Sequence, residues 1–235
     1  MYPTPHNLVS LSYIIMVFLS DTISHVSALQ SVDAQKVLLF GMSFGGMVSG
    51  ICAAIDRRLK GLVMVCPLFS FVDISKRESL FRLLIRDRTS QLHGNAPLTL
   101  QPFNSSGENP AGMAGSGGAG GLEAYGLMRA AAERGHPGFR DRITLQTYYN
   151  LALARPKEIT QELLQDTPVL MVVPELDDIS NPEEQREVFD GLKVPKRLYW
   201  AHGAAHLSIL TGPGSDDILR VIVRFFEDAL GGNVN

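Results

Sequence analysis

Cysteine is scarce, with two in 235 residues, and tryptophan occurs once. Two thiols cannot build a disulfide framework, and Cys52 and Cys66 stand in apolar stretches without metal-type spacing. They read as buried free thiols, which fits a reducing compartment and an expected cytoplasmic location. Charge is thin as well: charged side chains make up 19% of the chain and the formal net charge is -3. No run of Lys and Arg exceeds pairs such as Arg57-Arg58 and Lys76-Arg77, so the chain offers no basic face to nucleic acid. Residues 1–20 contain no Asp, Glu, Lys or Arg, yet the apolar run Leu8 to Leu19 is shorter than the roughly 20 residues a membrane span needs. It also lacks the basic residues and small-residue cleavage site of a secretory leader. A buried strand or helix is expected there. Phosphate-binding glycine loops and metal-ligand spacings are missing too, so neither a cofactor nor a metal is expected.

What the chain does have is a strand, a sharp turn and a helix in immediate succession. Lys36-Val37-Leu38-Leu39-Phe40 runs into Gly41-Met42-Ser43-Phe44-Gly45, and Met47 to Ile55 follows with the apolar spacing of a buried helix. A Gly-x-Ser-x-Gly turn between strand and helix holds its serine in a strained conformation clear of the sheet. Side chains at Gly41 or Gly45 are expected to collide with neighbouring elements. The helix aims its amino terminus at Ser43, which makes the Phe44 N–H a candidate oxyanion donor.

The rest of the chain repeats the strand and helix alternation of a parallel α/β sheet, with 45% hydrophobic residues and a length suited to one domain over 1–235. A short amphipathic helix is expected within 21–32, where His25 reads as a boundary residue. Leu62 to Pro67, Pro168 to Val173 and Lys196 to Trp200 read as buried strands, Pro182 to Phe189 as a helix, and Asp216 to Leu230 as a closing amphipathic helix. Between the second and third strands, about 68–166, the periodicity breaks down. Helical spacing resumes only at Leu122 to Glu133 and Leu145 to Leu153. Seven of the 22 glycines fall between Gly107 and Gly121, which reads as a loop with too little apolar surface to order itself. An insertion at this point, apolar in parts, has the character of a cap over a substrate; a surface insertion without catalytic consequence is the competing reading.

In an open parallel sheet, ligands gather beyond the carboxyl ends of the strands. Ser43, an aspartate at 177 or 178, and a histidine at 202 or 206 all follow strands. A serine hydroxyl needs an imidazole to take its proton, and the imidazole needs a carboxylate to hold its tautomer. The order Ser, Asp, His is that of α/β-hydrolases.

The stretches from Val32 to Gly46, Ala54 to Val63, Ile143 to Leu145, Thr167 to Val173 and Gly203 to His206 resemble α/β-hydrolases of fungal polyketide pathways, the thiohydrolases and polyketide transferases related to dienelactone-hydrolase-like enzymes. The resemblance covers about 21–230, weakly in 90–120. It implies Ser43 as nucleophile, His206 as base and Asp177 as the acid, because Asp177 lies three residues after Pro174, where the family commonly has glycine. It implies hydrolysis or transfer of an acyl ester or thioester, with a polyketide chain on an acyl carrier protein as substrate. Family members also carry strands and an oxyanion loop ahead of the elbow region. Here only about 20 unrelated apolar residues precede Asp21, so the resemblance implies a chain shortened at its amino terminus, an unassigned second oxyanion donor and a first strand lacking one neighbour. A catalytically silent binding protein of the same fold is the alternative reading.

Overall fold

The computed structural model describes residues 11–135 and 138–234, and at 11–17 and 74 the backbone alone. Four strands form one parallel sheet in the order β1 (Leu38–Met42), β2 (Gly61–Val65), β5 (Val169–Pro174) and β6 (Lys196–Ala201). Helix α2 (Phe44–Ile55) crosses from β1 to β2, and α7 (Pro182–Gly191) from β5 to β6. Residues of β2 and β5 are buried throughout because helices cover both sheet faces. Leu62, Met64, Val169, Met171 and Val173 point into the larger core with Met47, Ile51 and Val188. Val63, Val65, Leu170 and Val172 meet Ile218, Ile222 and Phe225 of α8 (Ser215–Leu230) on the other face.

Helix α1 (Leu11–Ser27) is longer than the expected helix within 21–32 and begins earlier; 28–32 forms turns. Residues 11–19 of the apolar run and 21–27 of the amphipathic segment are thus one helix. Most of the segment expected to be buried, 9–19, lies outside the described side chains; Phe18 is 63% exposed, whereas Leu19 packs against the core. Arg58 ties α1 down, donating through its guanidinium to Ser24 Oγ at 2.9 Å and the Ser20 carbonyl at 3.2 Å while pairing with Asp56. No helix among the described residues is long and apolar enough to cross a membrane.

The insertion between β2 and β5 is more regular than its sequence suggests. It contains α3 (Arg77–Leu92), a two-stranded antiparallel ribbon of β3 (Thr99–Leu100) and β4 (Ile143–Thr144), α4 (Ala119–Glu133), α5 (Leu145–Leu153) and α6 (Pro156–Leu163). The reading of 107–121 as chain that cannot order itself is corrected. Buried Asn109 organises this segment: its Nδ2 donates to the Pro102 carbonyl at 2.6 Å and to the Tyr148 hydroxyl at 2.8 Å, and its Oδ1 accepts from Ala111 N at 2.7 Å. Glycine serves close packing here. A Cβ at Gly121 would lie 2.2 Å from the Gly107 carbonyl oxygen, and one at Gly120 would lie 2.3 Å from Asp178 Oδ1.

Candidate active site

Ser43 sits between β1 and α2 with φ 54° and ψ -123°. This left-handed conformation is costly for a residue with a side chain. Its cost is offset by hydrogen bonds on both sides, with Ser43 N donating to the Val65 carbonyl at 2.9 Å and Leu68 N donating to the Ser43 carbonyl at 3.2 Å. Gly41 is required as expected, since a Cβ there would lie 2.2 Å from the Gly45 carbonyl oxygen. Gly45 departs from the expectation: a Cβ there meets nothing within 4 Å. It is Gly46 that faces a neighbour, with Pro67 Cα 3.2 Å from an added Cβ. Phe44 is the first residue of α2, so its N–H has no partner one turn back and lies beside Ser43 at the positive end of the helix. Its ring packs edge-on against Phe71, the centroids 5.3 Å apart.

His206 and Asp177 arrive from the loops after β6 and β5. His206 Nε2 is 2.7 Å from Ser43 Oγ, and His206 Nδ1 is 2.8 Å and 2.9 Å from the two Asp177 carboxylate oxygens. Both side chains are almost wholly buried, at 2% and 0% exposed. A buried carboxylate demands donors. Asp177 has them: Ile179 N at 3.0 Å and Ser180 N at 2.7 Å on Oδ1, and Gln185 Nε2 at 3.3 Å on Oδ2. Gln185 is held in turn by donating to the Ser180 carbonyl at 2.7 Å, and Ser180 Oγ donates to the Pro67 carbonyl at 2.5 Å. Nothing in the sequence singled out Gln185 or Ser180. Gln185 lies in the first turn of α7, which begins just beyond the Asp177 loop, and that proximity is the one feature that could have pointed to it.

The neighbouring candidates go elsewhere. His202 is exposed and pairs with Glu175, its Nδ1 3.2 Å from Oε1. Gly203 N donates to the same carboxylate, and the two contacts hold the Glu175 carboxyl below its usual range, the Gly203 amide contributing most. Asp178 points away from His206 and accepts the Gly120 N–H on both oxygens, at 2.9 Å and 2.8 Å, where α4 begins. His25 lies in the last turn of α1. Among the described residues, Cys66, Asp177 and His206 are grouped closely enough to suggest metal donors. Asp177 and His206 are already bonded to one another through Nδ1, and His206 Nε2 faces Ser43 Oγ.

A cleft of about 680 Å³ lies between the insertion and the loop after β5, touched by Val72, Met113, Asp177 and Ile179. An apolar hollow of about 760 Å³ lies between α3 and α5, lined by Phe81, Leu84, Tyr149 and Leu153 among others. Neither is lined by Ser43 or His206.

A parallel sheet with a strained serine elbow and a buried Asp and His on later loops defines the α/β-hydrolase class. Residues 15–210 match the family model described as serine aminopeptidase, S33, and the chain belongs to that α/β-hydrolase family. It is 36% identical over 215 residues to a thiohydrolase of Eupenicillium brefeldianum, covering 90% of this chain and 68% of that protein. A polyketide transferase of Penicillium crustosum is 33% identical, covering 90% of this chain and 70% of the relative. Among solved structures, DcsB in complex with its substrate analogue matches with a TM-score of 0.87 at 51% identity, covering 96% of this chain and 76% of that one. The α/β-hydrolase GrgF from Penicillium sp. sh18 matches with a TM-score of 0.75 at 29% identity, covering 92% and 71%.

Proposed function

We propose that the protein is a serine hydrolase or acyltransferase that cleaves an acyl ester or thioester, its substrate a polyketide chain carried on an acyl carrier protein. The observation that carries the reading is the unbroken hydrogen-bonded line from Ser43 Oγ through His206 to buried Asp177. The names of the relatives, thiohydrolase and polyketide transferase, support the substrate class. Insertion 68–166 takes the part of a cap, and the free thiols of Cys52 and Cys66 suit a reducing cytoplasm.

Ser43 Oγ attacks the acyl carbonyl while its proton passes to His206 Nε2. Asp177 holds the opposite ring nitrogen as N–H and stabilises the imidazolium that forms. The carbonyl oxygen gains charge and accepts from the Phe44 N–H. Collapse expels the thiolate or alkoxide, which takes the proton from His206 Nε2, and leaves the acyl group on Ser43. Water activated by His206 then releases an acid, whereas an alcohol in the same place gives an ester. The two outcomes differ only in which nucleophile reaches the acyl-serine. Each oxyanion donor is worth about 3 to 4 kcal/mol, roughly 100- to 1,000-fold in rate, so the test reads covalent chemistry, which is less sensitive to donor number, before turnover. A fluorophosphonate probe is expected to label Ser43, identified by peptide mass spectrometry, and Ser43→Ala is expected to abolish labelling. Folded protein that forms no adduct with fluorophosphonate, aryl esters or thioesters would instead be the silent binder of the same fold.

A further inference from the structure

Cys66 follows β2 directly and is fully buried, with φ at 39°. Only three described residues other than glycine have positive φ, and two of them, Ser43 and Cys66, lie side by side, because β1 and β2 pair Met42 with Val65 immediately before them. Backbone strain at two adjacent strand ends persists only where surroundings over-determine it. Those surroundings are visible: Cys66 N donates to the Val172 carbonyl at 2.8 Å, and the flanking residues are bonded to Ser43 on both sides. The resulting side-chain direction brings Cys66 Sγ to 3.7 Å from the His206 carbonyl oxygen and within 4.8 Å of donor atoms on both His206 and Asp177. Burial first, and the Asp177 charge second, push the thiol well above its ordinary range, so it stays protonated and donates.

We propose that Cys66 is a positioning residue for the serine chemistry: its S–H, donated to the His206 carbonyl, fixes the loop after β6 so that the imidazole meets Ser43, and its neutral bulk keeps water from the Asp177–His206 pair. The inference rests on the roles proposed above for Ser43, His206 and Asp177. A thiol is a weak donor, worth less than an N–H bond, but here it acts on the backbone of the residue whose ring must be placed to a fraction of an ångström.

The test compares Cys66→Ala, Cys66→Gly, Cys66→Ser and a control, Cys52→Ala, in aryl ester hydrolysis across pH and in proton NMR of the low-field His206 Nδ1–H. Alanine removes the donor; glycine removes it and also relieves the positive φ, so it separates thiol from backbone strain and supplies a folded variant if alanine does not. Serine keeps a donor. The expected result for alanine and glycine is a kcat lower by about three- to ten-fold with KM within about two-fold, and an Nδ1–H resonance that moves or broadens. Serine is expected to recover most of both, and Cys52→Ala to change neither. Wild-type kcat and an unmoved resonance in Cys66→Gly overturn the proposal. So does a loss of kcat that serine does not recover and the resonance does not follow. Should the wild type prove inactive and resist labelling, the hydrolase reading falls, while the resonance in the same variants still decides whether Cys66 positions His206.

Discussion

Replacing Asp177 by asparagine changes one atom in the most completely bonded side chain of the site. Oδ1 accepts from Ile179 N and Ser180 N, so the amide oxygen must stay there. The new NH2 then takes the place of Oδ2, facing His206 Nδ1 and Gln185 Nε2, 2.8 Å and 3.3 Å away. Both neighbours were donors to that position. Gln185 is left opposed to another donor, at a cost of about 1 to 3 kcal/mol, which lowers Tm by roughly 2 to 4 °C per kcal/mol in a chain of this size and leaves it folded. His206 Nδ1 also lies 2.9 Å from the retained Oδ1, but its shorter contact is now with a donor, and it responds by presenting Nδ1 as an acceptor, which moves its proton to Nε2. That nitrogen faces Ser43 Oγ at 2.7 Å and can no longer take the serine proton. A tautomer inversion of this kind costs about 10,000-fold in kcat, or about 5.5 kcal/mol. Asp178→Asn is the matched control. Its oxygen can still accept from Gly120 N, so it is expected to keep kcat within about three-fold and lose under about 1 kcal/mol of stability. Aryl ester hydrolysis with thermal unfolding of both variants checks the pair. Asp177→Asn retaining more than about a tenth of wild-type kcat, or Asp178→Asn falling as far as Asp177→Asn, would refute this account of the acid.

Ser43→Ala and His206→Ala should be strongly non-additive: each alone removes most of the rate, up to about a millionfold in a comparable system, and the double variant loses little more; independent, multiplying effects would show that the two side chains do not act as one unit. Gly41→Ala drives a Cβ to 2.2 Å from the Gly45 carbonyl oxygen and 2.4 Å from Ser49 Oγ, so differential scanning calorimetry should show a loss of about 3 kcal/mol or more. Gly45→Ala adds a methyl to open space in α2 and should leave Tm unchanged or raise it slightly; equal destabilisation of the two variants would contradict the elbow packing described.

Much of the candidate site's geometry was legible because it is tied to local punctuation. Gly41 and Ser43 mark a turn that few other structures require, and the strands before Asp177 and His206 are apolar runs whose carboxyl ends can be located within a residue or two. Choosing between adjacent candidates was harder. Nothing in the residue types of Asp177 and Asp178 says which faces the histidine, and the resemblance, not the spacing, separated them. The structure shows what spacing could not express: the two carboxylates point to opposite sides of the same loop, one to His206 and the other to the Gly120 N–H. The Ser180 hydroxyl and Cys66 were invisible as site residues because each reaches chain far away in sequence, whereas Gln185 lies only eight residues from Asp177 and carries no residue-type signal for a support role.

The insertion was misread for a different reason, since composition reports average tendencies and cannot see a partner. Glycines at 107, 118, 120 and 121 suggest loose chain when counted, yet at each of them an added Cβ would meet a carbonyl, amide or carboxylate atom at under 3 Å. The same residue that costs backbone entropy also permits the closest packing, and only the identity of the opposing atom decides which effect wins. Leu38 to Met42 is as apolar as Gly61 to Val65, but β2 is buried at every position while Phe40 of β1 is 45% exposed. Among the described residues β1 pairs on one side only, with β2. An edge strand and a central strand therefore share one pattern, and the difference lies in a neighbour that the strand's own sequence does not encode. Ser43 stands at the end of β1, which is why its placement depends so heavily on β2 and the turn after it: Val65 and Leu68 bond to Ser43 directly, and Cys66 between them reaches the His206 carbonyl.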